Sequence, residues 1–272
     1  MQSSYSKLAI AVLFAGVLLA GPAASAETLK IAGTGGAMPM AERAVADFAA
    51  STGIKIEAIP GLGSKGAIKA VADGAIDLAF SARMLNPDEA NLGLTIVPIA
   101  RTALVFITSQ AKPNSLKSTE LPEIFRSVNP KWADGSPIHL ILRPKNDADS
   151  LLIEKFFPGM HQAIEAARLR PEIPISATDQ DNAELAEGLE GSFVQAGFSQ
   201  IISEKRKLRF VAIDNVEPTA ENFEIGKYPY EKVFYLVYSA KGKVPAEALL
   251  DFLRSAKGRE VLQETGSLPV AD

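Results

Sequence analysis

Two hydrophobic periods take turns along the chain. Residues 28–32 read as a short strand, and Ala41, Ala44, Val45 and Phe48 then fall on one helical face. Residues 54–59 predict a second strand, followed by Ala67, Ile68, Val71 and Ala72 at helical spacing. Residues 76–80 and 95–99 predict a third and a fourth strand. This β-α-β-α order predicts a parallel sheet with helices on both faces.

The style repeats downstream. Residues 104–108, 138–142, 193–199 and 208–213 predict strands, and residues 233–238 a strong one. Helical faces are expected at Met160, Ala163, Ile164 and Ala167, at Leu185, Ala186 and Leu189, and at Ala246, Leu249, Leu250 and Leu253. Thr178 before Asp179-Gln180-Asp181 reads as an N-cap with acids in the first turn, where they suit the helix dipole. Two α/β units in one chain place a cleft between lobes, where ligands bind by preference.

The N-terminus adds a compartment. Lys7, an apolar run over residues 8–20 and Ala24-Ser25-Ala26 describe a secretory signal peptide cleaved after Ala26. The competing membrane anchor wants about 20 apolar residues, and this run breaks at Gly21-Pro22. Without cysteine the chain has no disulfide, thiolate metal site, cysteine nucleophile or lipid-bearing N-terminal cysteine. Two distant histidines, His139 and His161, make no metal motif. With Lys7 removed, 27 Lys+Arg face 32 Asp+Glu, a net charge of −5 over 246 residues. That balance argues against nucleic acid, which needs a basic surface. No Ser/His/Asp set or metal cluster stands out for an enzyme, and no cofactor is expected.

Chemistry gathers at three turns. Gly33-Thr34-Gly35-Gly36-Ala37 follows the first strand, Gly61-Leu62-Gly63-Ser64-Lys65-Gly66 the second, and Ser81-Ala82-Arg83 the third. Glycines allow close backbone approach, and helix N-termini offer unpaired N–H groups to an anion. All three turns would meet at one sheet edge. The second turn also fits G-x-G-x-x-G, but a dinucleotide site expects an acid about 20 residues on. Here the next strand ends at Ser81-Ala82-Arg83. Glycines that merely close tight connections are the plainer alternative.

At these residues the chain resembles the phosphate ABC-transporter substrate-binding proteins. Gly61-Leu62-Gly63-Ser64-Lys65-Gly66, Ile68 and Gly74-Ala75-Ile76-Asp77-Leu78-Ala79-Phe80-Ser81-Ala82-Arg83 are similar to that family's second ligand loop, helix and "G-x-x-D-I-x-x-S-S-R" strand. Ile99-Ala100-Arg101-Thr102-Ala103-Leu104-Val105 resembles its crossing strand. Residues 116–125, Trp132 and Arg143 resemble the approach to its third ligand loop. Gly226-Lys227-Tyr228-Pro229-Tyr230 resembles its "G-x-Y-P-L" return, and residues 258–269 its C-terminal end. The resemblance implies a two-lobed type II periplasmic-binding-protein fold, each lobe a mainly parallel sheet flanked by helices, joined by two crossing hinge strands. The expected division is a leader at 1–26, one lobe from 27–100 plus 222–272, and a second from 101–221. It further implies a periplasmic monomer that closes on phosphate or a related oxyanion and docks on an ABC permease. The implied ligand shell is Thr34, Gly35, Gly63, Ser64, Lys65, Ser81, Arg83 and Arg143, the last able to hold an oxyanion in a bidentate fork.

The third loop departs from the family. Where phosphate binders carry Ser-Gly-Thr after the arginine, this chain has Asp147-Ala148-Asp149-Ser150. A carboxylate about 5 Å from an anionic charge costs about 3 kcal/mol at an effective dielectric near 20, about a hundredfold in affinity. Two readings stay open. Asp147 or Asp149 caps a helix beginning near Leu151 and Ser150 supplies the hydroxyl, or both acids face the cleft. In the second case an amine, a zwitterion or a metal-associated species becomes the ligand. A sensor that presents its closed form to a membrane kinase is the other functional class kept open.

Overall fold

The computed structural model describes residues 28–270; the leader expected over residues 1–26 lies outside them. β1 (Thr28–Gly33) leads through α1 (Met38–Thr52) to β2 (Lys55–Ile59), and α2 (Gly63–Ala72) leads on to β3 (Leu78–Ser81). β1 pairs in parallel with both β2 and β3. Alternate residues serve opposite faces of this sheet, as the pleat requires. Ile31, Leu78 and Phe80 pack with the α1 stripe, whereas Ala32 and Ala79 pack with Ala67, Ile68 and Val71 of α2. A sheet covered on both sides needs apolar residues at successive positions, which is why β3 is buried along its whole length.

Residues 95–108 form one strand, β4 (Thr95–Thr108), where the hydrophobic pattern predicts two. Pro98 has no N–H to donate, and the register slips between Pro98 and Ala100. A bulge absorbs the proline and lets the strand continue. The second half of β4 enters another body. There α3 (Leu121–Arg126) precedes β5 (His139–Leu140), which leads into α4 (Ala148–Phe156), α5 (Met160–Arg168) and α6 (Asp179–Gly188). β6 (Ser192–Gly197), α7 (Phe198–Ser203), β7 (Arg209–Val211) and α8 (Ala220–Glu224) complete it. β6 and β7 pair antiparallel with β4, and β5 pairs in parallel with β6. The pairing in this part is therefore mixed. Its core centres on Phe193, which stacks on Phe106 at 4.8 Å and meets Trp132 edge-on at 5.8 Å.

The chain returns through β8 (Glu231–Tyr238) into α9 (Lys243–Arg254) and α10 (Ala256–Glu264). β8 lies between β3 and β4, antiparallel to both, and its register with β4 runs from Thr95↔Tyr238 to Ala103↔Glu231. β4 and β8 are thus the two strands that pass between the bodies. No described helix is long and apolar enough to cross a membrane.

Three local departures position the site. β5 is shorter than residues 138–142 because the chain leaves β6 after Ile141, whose N–H donates to Phe193 O. Leu142 then exchanges hydrogen bonds with Pro174 and Ser176, and this swing carries Arg143 to the cleft. The strand predicted over 193–199 ends at Gly197, where the Thr102 hydroxyl accepts from Ser199 N at 3.1 Å and starts α7. On α6 the buried face is Asp179, Asn182, Ala183 and Ala186, rotated from the predicted Leu185, Ala186 and Leu189. Asn182 goes inward because its side chain donates to Gln195 O at 2.9 Å and accepts from Ser176 at 2.8 Å.

Candidate functional site

The three turns converge on a cleft of about 230 Å³ between the bodies. Thr34, Gly35, Gly63, Ser64, Lys65, Arg83, Arg143 and Asp147 line it, as do Lys145, Asn146, Asp179 and Gln180. Ser81, Asp149 and Ser150, expected in the ligand shell, are absent from its lining. Each has another task. Ser81 is fully buried; its hydroxyl donates to Arg83 O at 2.7 Å and accepts from Arg83 N at 3.1 Å, shaping the third turn. Ser150 is buried under β6, where its hydroxyl accepts from Gln195 at 3.4 Å. Asp149 points into the protein to meet Lys232.

The first body supplies backbone turns and hydroxyls. Gly63 adopts a φ of 62°, the left-handed region open to glycine, and begins α2 beside the cleft. Ser64 accepts from Ala82 N at 3.0 Å, tying the second turn to the third. Arg83 gives two hydrogen bonds to Glu89, at 2.7 and 2.8 Å, and their pull holds the Glu89 carboxyl below its ordinary range. Arg83 therefore reaches the cleft with its charge already matched. Lys65 stands exposed at the rim, and Lys145 pairs with Glu165 at 3.0 Å.

The second body supplies Arg143, only 3% exposed. Its Nη1 donates to the carbonyls of Ser176 and Thr178, which fixes the guanidinium plane. Its Nη2 donates to Asp147 at 3.1 Å and to Asp179 at 3.0 Å. Asp147 joins the two readings that its position allowed. One oxygen caps α4 by accepting from Asp149 N and Ser150 N, and the other turns to Arg143 at the cleft wall. Asp179 reaches across. Its second oxygen accepts from the Thr34 hydroxyl at 2.8 Å and from Gly36 N at 2.7 Å. Gly35 permits this approach, because a β-carbon there would lie 2.9 Å from Asp179 Cβ and would strike Gln180.

Behind the wall lies Lys232 of β8, 1% exposed, with its Nζ 2.5 Å from Asp149 Oδ1. The result is a group of two buried cations, Lys232 and Arg143, against three carboxylates, Asp149 and Asp179 buried and Asp147 partly exposed at the cleft. Burial disfavours the charges of Lys232, Arg143, Asp149 and Asp179, so each of these depends on its neighbours. Burial opposes ionisation of Asp179, but Lys232, Arg143, Thr34 and Gly36 outweigh it and hold the carboxyl low. Burial likewise opposes the Lys232 and Arg143 cations, and the surrounding aspartates raise both above their ordinary values. For Asp149 burial wins, and its carboxyl is pushed up to about 6 despite Lys232.

Asp179 and Lys232 escaped the sequence reading, although each left a trace. In the sequence Asp179 reads as a first-turn acid after the Thr178 cap, and that cap is present with its full capping box. Lys232 continues the inward alternation Leu236, Phe234 by one more step, so the period of two already pointed its side chain into the protein. Among the described residues, no group of three or more His, Cys, Asp or Glu is placed to hold a metal.

Residues 20–256 match the PBP superfamily domain. No curated protein matches the chain. Several solved structures share the fold. One from Clostridium perfringens, described as a phosphate ABC transporter substrate-binding protein with bound phosphate, has a TM-score of 0.76 at 21% identity, over 90% of this chain and 100% of that one. A phosphate-binding protein from Stenotrophomonas maltophilia gives 0.65 at 13% identity, over 90% and 91%. An ABC-type phosphate transport receptor from Vibrio cholerae gives 0.62 at 18% identity, over 89% and 100%. Given a domain match over most of its length and two bodies joined by β4 and β8 around a polar cleft, the chain belongs to the PBP superfamily, in the type II periplasmic-binding fold.

Proposed function

We propose that the protein is the solute-capturing receptor of an ABC importer, taking a small oxyanion, phosphate first, into the cleft between its lobes. The observation that carries this reading is the convergence of Thr34, the α2 N-terminus with Ser64 and Lys65, and Arg143 on one small polar cleft. Hydroxyls, helix-start amides and a guanidinium are the donor set an oxyanion uses. The similar structures described as phosphate-binding support the same choice. We place the lobes at 27–100 plus 222–272 and at 101–221, with β4 and β8 as hinge. One chain supplies both cleft walls, so a monomer suffices. Residues 1–26 would direct it to the periplasm, and a permease would receive the closed form.

One observation favours a second reading, a cationic or zwitterionic solute: Asp147 and Asp179 both turn carboxylate oxygens toward the cleft side of Arg143. Calorimetric titration of residues 27–272, freed of carried-over ligand, separates the two. Phosphate, sulfate, arsenate and molybdate are titrated beside a panel of small amines. Saturable heat with phosphate that is lost in Arg143→Ala supports oxyanion capture. Heat with amines alone sinks it.

A further inference from the structure

Asp179 makes the contacts an incoming oxyanion would need. One carboxylate oxygen takes the Thr34 hydroxyl at 2.8 Å and the Gly36 amide at 2.7 Å, and the other takes Arg143 Nη2 at 3.0 Å. These are a hydroxyl, a backbone N–H at the entry to α1 and a guanidinium, three strong partners for any anionic oxygen. The donors come from both lobes. Thr34 and Gly36 follow β1, whereas Asp179 opens α6 and Arg143 follows β5. A single side chain therefore both fills the anion position and ties the lobes together. Gln180 adds a second tie, donating to Gly35 O at 3.2 Å.

We propose that Asp179 is an internal ligand: a carboxylate latch that holds the lobes together and competes with a solute oxyanion for Thr34, Gly36 and Arg143. The proposal rests on the oxyanion reading for its competing partner, and its conformational half stands apart from that reading. The geometry is built for the purpose. Asp179 is 6% exposed, so its charge is retained only because these donors and Lys232 surround it. Arg143 is held in place by two backbone carbonyls, and its forward nitrogen is already shared by Asp147 and Asp179. Two carboxyl groups on one guanidinium nitrogen leave no spare cation there for a third anion. An oxyanion must displace Asp179, and the loss of that contact offsets part of its own binding energy. The latch thereby sets which solutes close the cleft: those able to replace a carboxylate on all three donors.

The test uses the cysteine-free chain with one spin label on each lobe, at Lys69→Cys and Glu172→Cys, both exposed positions. Inter-lobe distances and phosphate and sulfate titrations are measured for this protein and for its Asp179→Ala form, each freed of carried-over ligand. A latch predicts a short, narrow distance without added anion that lengthens and broadens in Asp179→Ala. It also predicts phosphate affinity at least about tenfold higher in Asp179→Ala, as expected when one like charge leaves a partly screened site. Equal distances in the two proteins overturn the latch, and so does phosphate affinity that is unchanged or weaker in Asp179→Ala. Thr34→Val, which removes one partner of the carboxylate and keeps its volume, must lengthen the distance if Asp179→Ala fails to fold. An unchanged distance there overturns the latch as well. Absence of phosphate and sulfate binding in both proteins overturns the oxyanion reading and the competition with it.

Discussion

Lys232 of the returning strand β8 and Asp149 of α4 form an ion pair at 2.5 Å with 1% and 2% of their surfaces exposed. The aspartate faces away from the cleft, into the protein. Its partner explains why an acid stands there. A lysine buried against Gly36 and Gly197 requires a carboxylate, and Asp149 is the one in direct contact.

Removing one partner should be costly, because the other charge stays buried and unmatched. Lys232→Met is expected to lower stability by about 3–5 kcal/mol near neutral pH, where it leaves the Asp149 carboxylate buried and unmatched; Asp149→Asn should cost less, because burial already favours the neutral carboxyl there. The double variant, Lys232→Met with Asp149→Asn, should lie closer to the parent than Lys232→Met does. Urea unfolding of the three variants measures this. Additive losses would show that the pair is not coupled.

The Asp149 carboxyl should titrate near pH 6, since burial pushes it up to about 6. In the unfolded chain the same group titrates near ~3.9. The folded protein holds this proton more tightly, so the group's contribution to stability is complete below about pH 4 and fades as pH rises through about 6. Asp179, held low by Lys232 and Arg143 against its burial, acts oppositely and only at lower pH. Between about pH 4 and 6 the parent should therefore lose about 2–3 kcal/mol relative to Asp149→Asn. Carboxyl carbon shifts followed by NMR give the midpoint directly, and an Asp149 midpoint near 4 would refute the assignment.

Gly35→Ala should push α6 away from the first turn. The new methyl would sit 2.9 Å from Asp179 Cβ and against Gln180. Overpacking of this kind costs about 1–3 kcal/mol. The thermal midpoint should fall, and the inter-lobe distance should grow as in Asp179→Ala. A variant as stable as its parent would mean that the lobes do not meet at Gly35.

Glu89→Gln should release Arg83 toward the cleft. Glu89 accepts both guanidinium hydrogen bonds and that of Asn86 N at 2.9 Å. Its neutral replacement should cost about 1–2 kcal/mol of stability. It should also strengthen phosphate or sulfate binding about three- to tenfold, through one less-matched cation at the wall. Calorimetry in rising salt checks the origin of that gain, which should shrink as screening increases.

Much of the architecture was legible from residue order alone. The strand–helix alternation from residue 28 to 81, the stripes of α1, α2, α5 and α9, and the helix capped by Thr178 each rest on local periodicity or capping chemistry. Such signals lie within one element and survive in the sequence. The three turns could likewise be placed at one sheet edge, because parallel strands present their ends together. Which charges meet was decided by tertiary structure. Asp179 lies 145 residues from Thr34 and 36 from Arg143, and the Lys232 pair joins β8 to α4. Aspartate at a helix start reads the same whether it faces solvent or a buried guanidinium. Only the packing of α6 against the glycine turn, with water excluded, turns that residue into a partner whose loss the fold would feel.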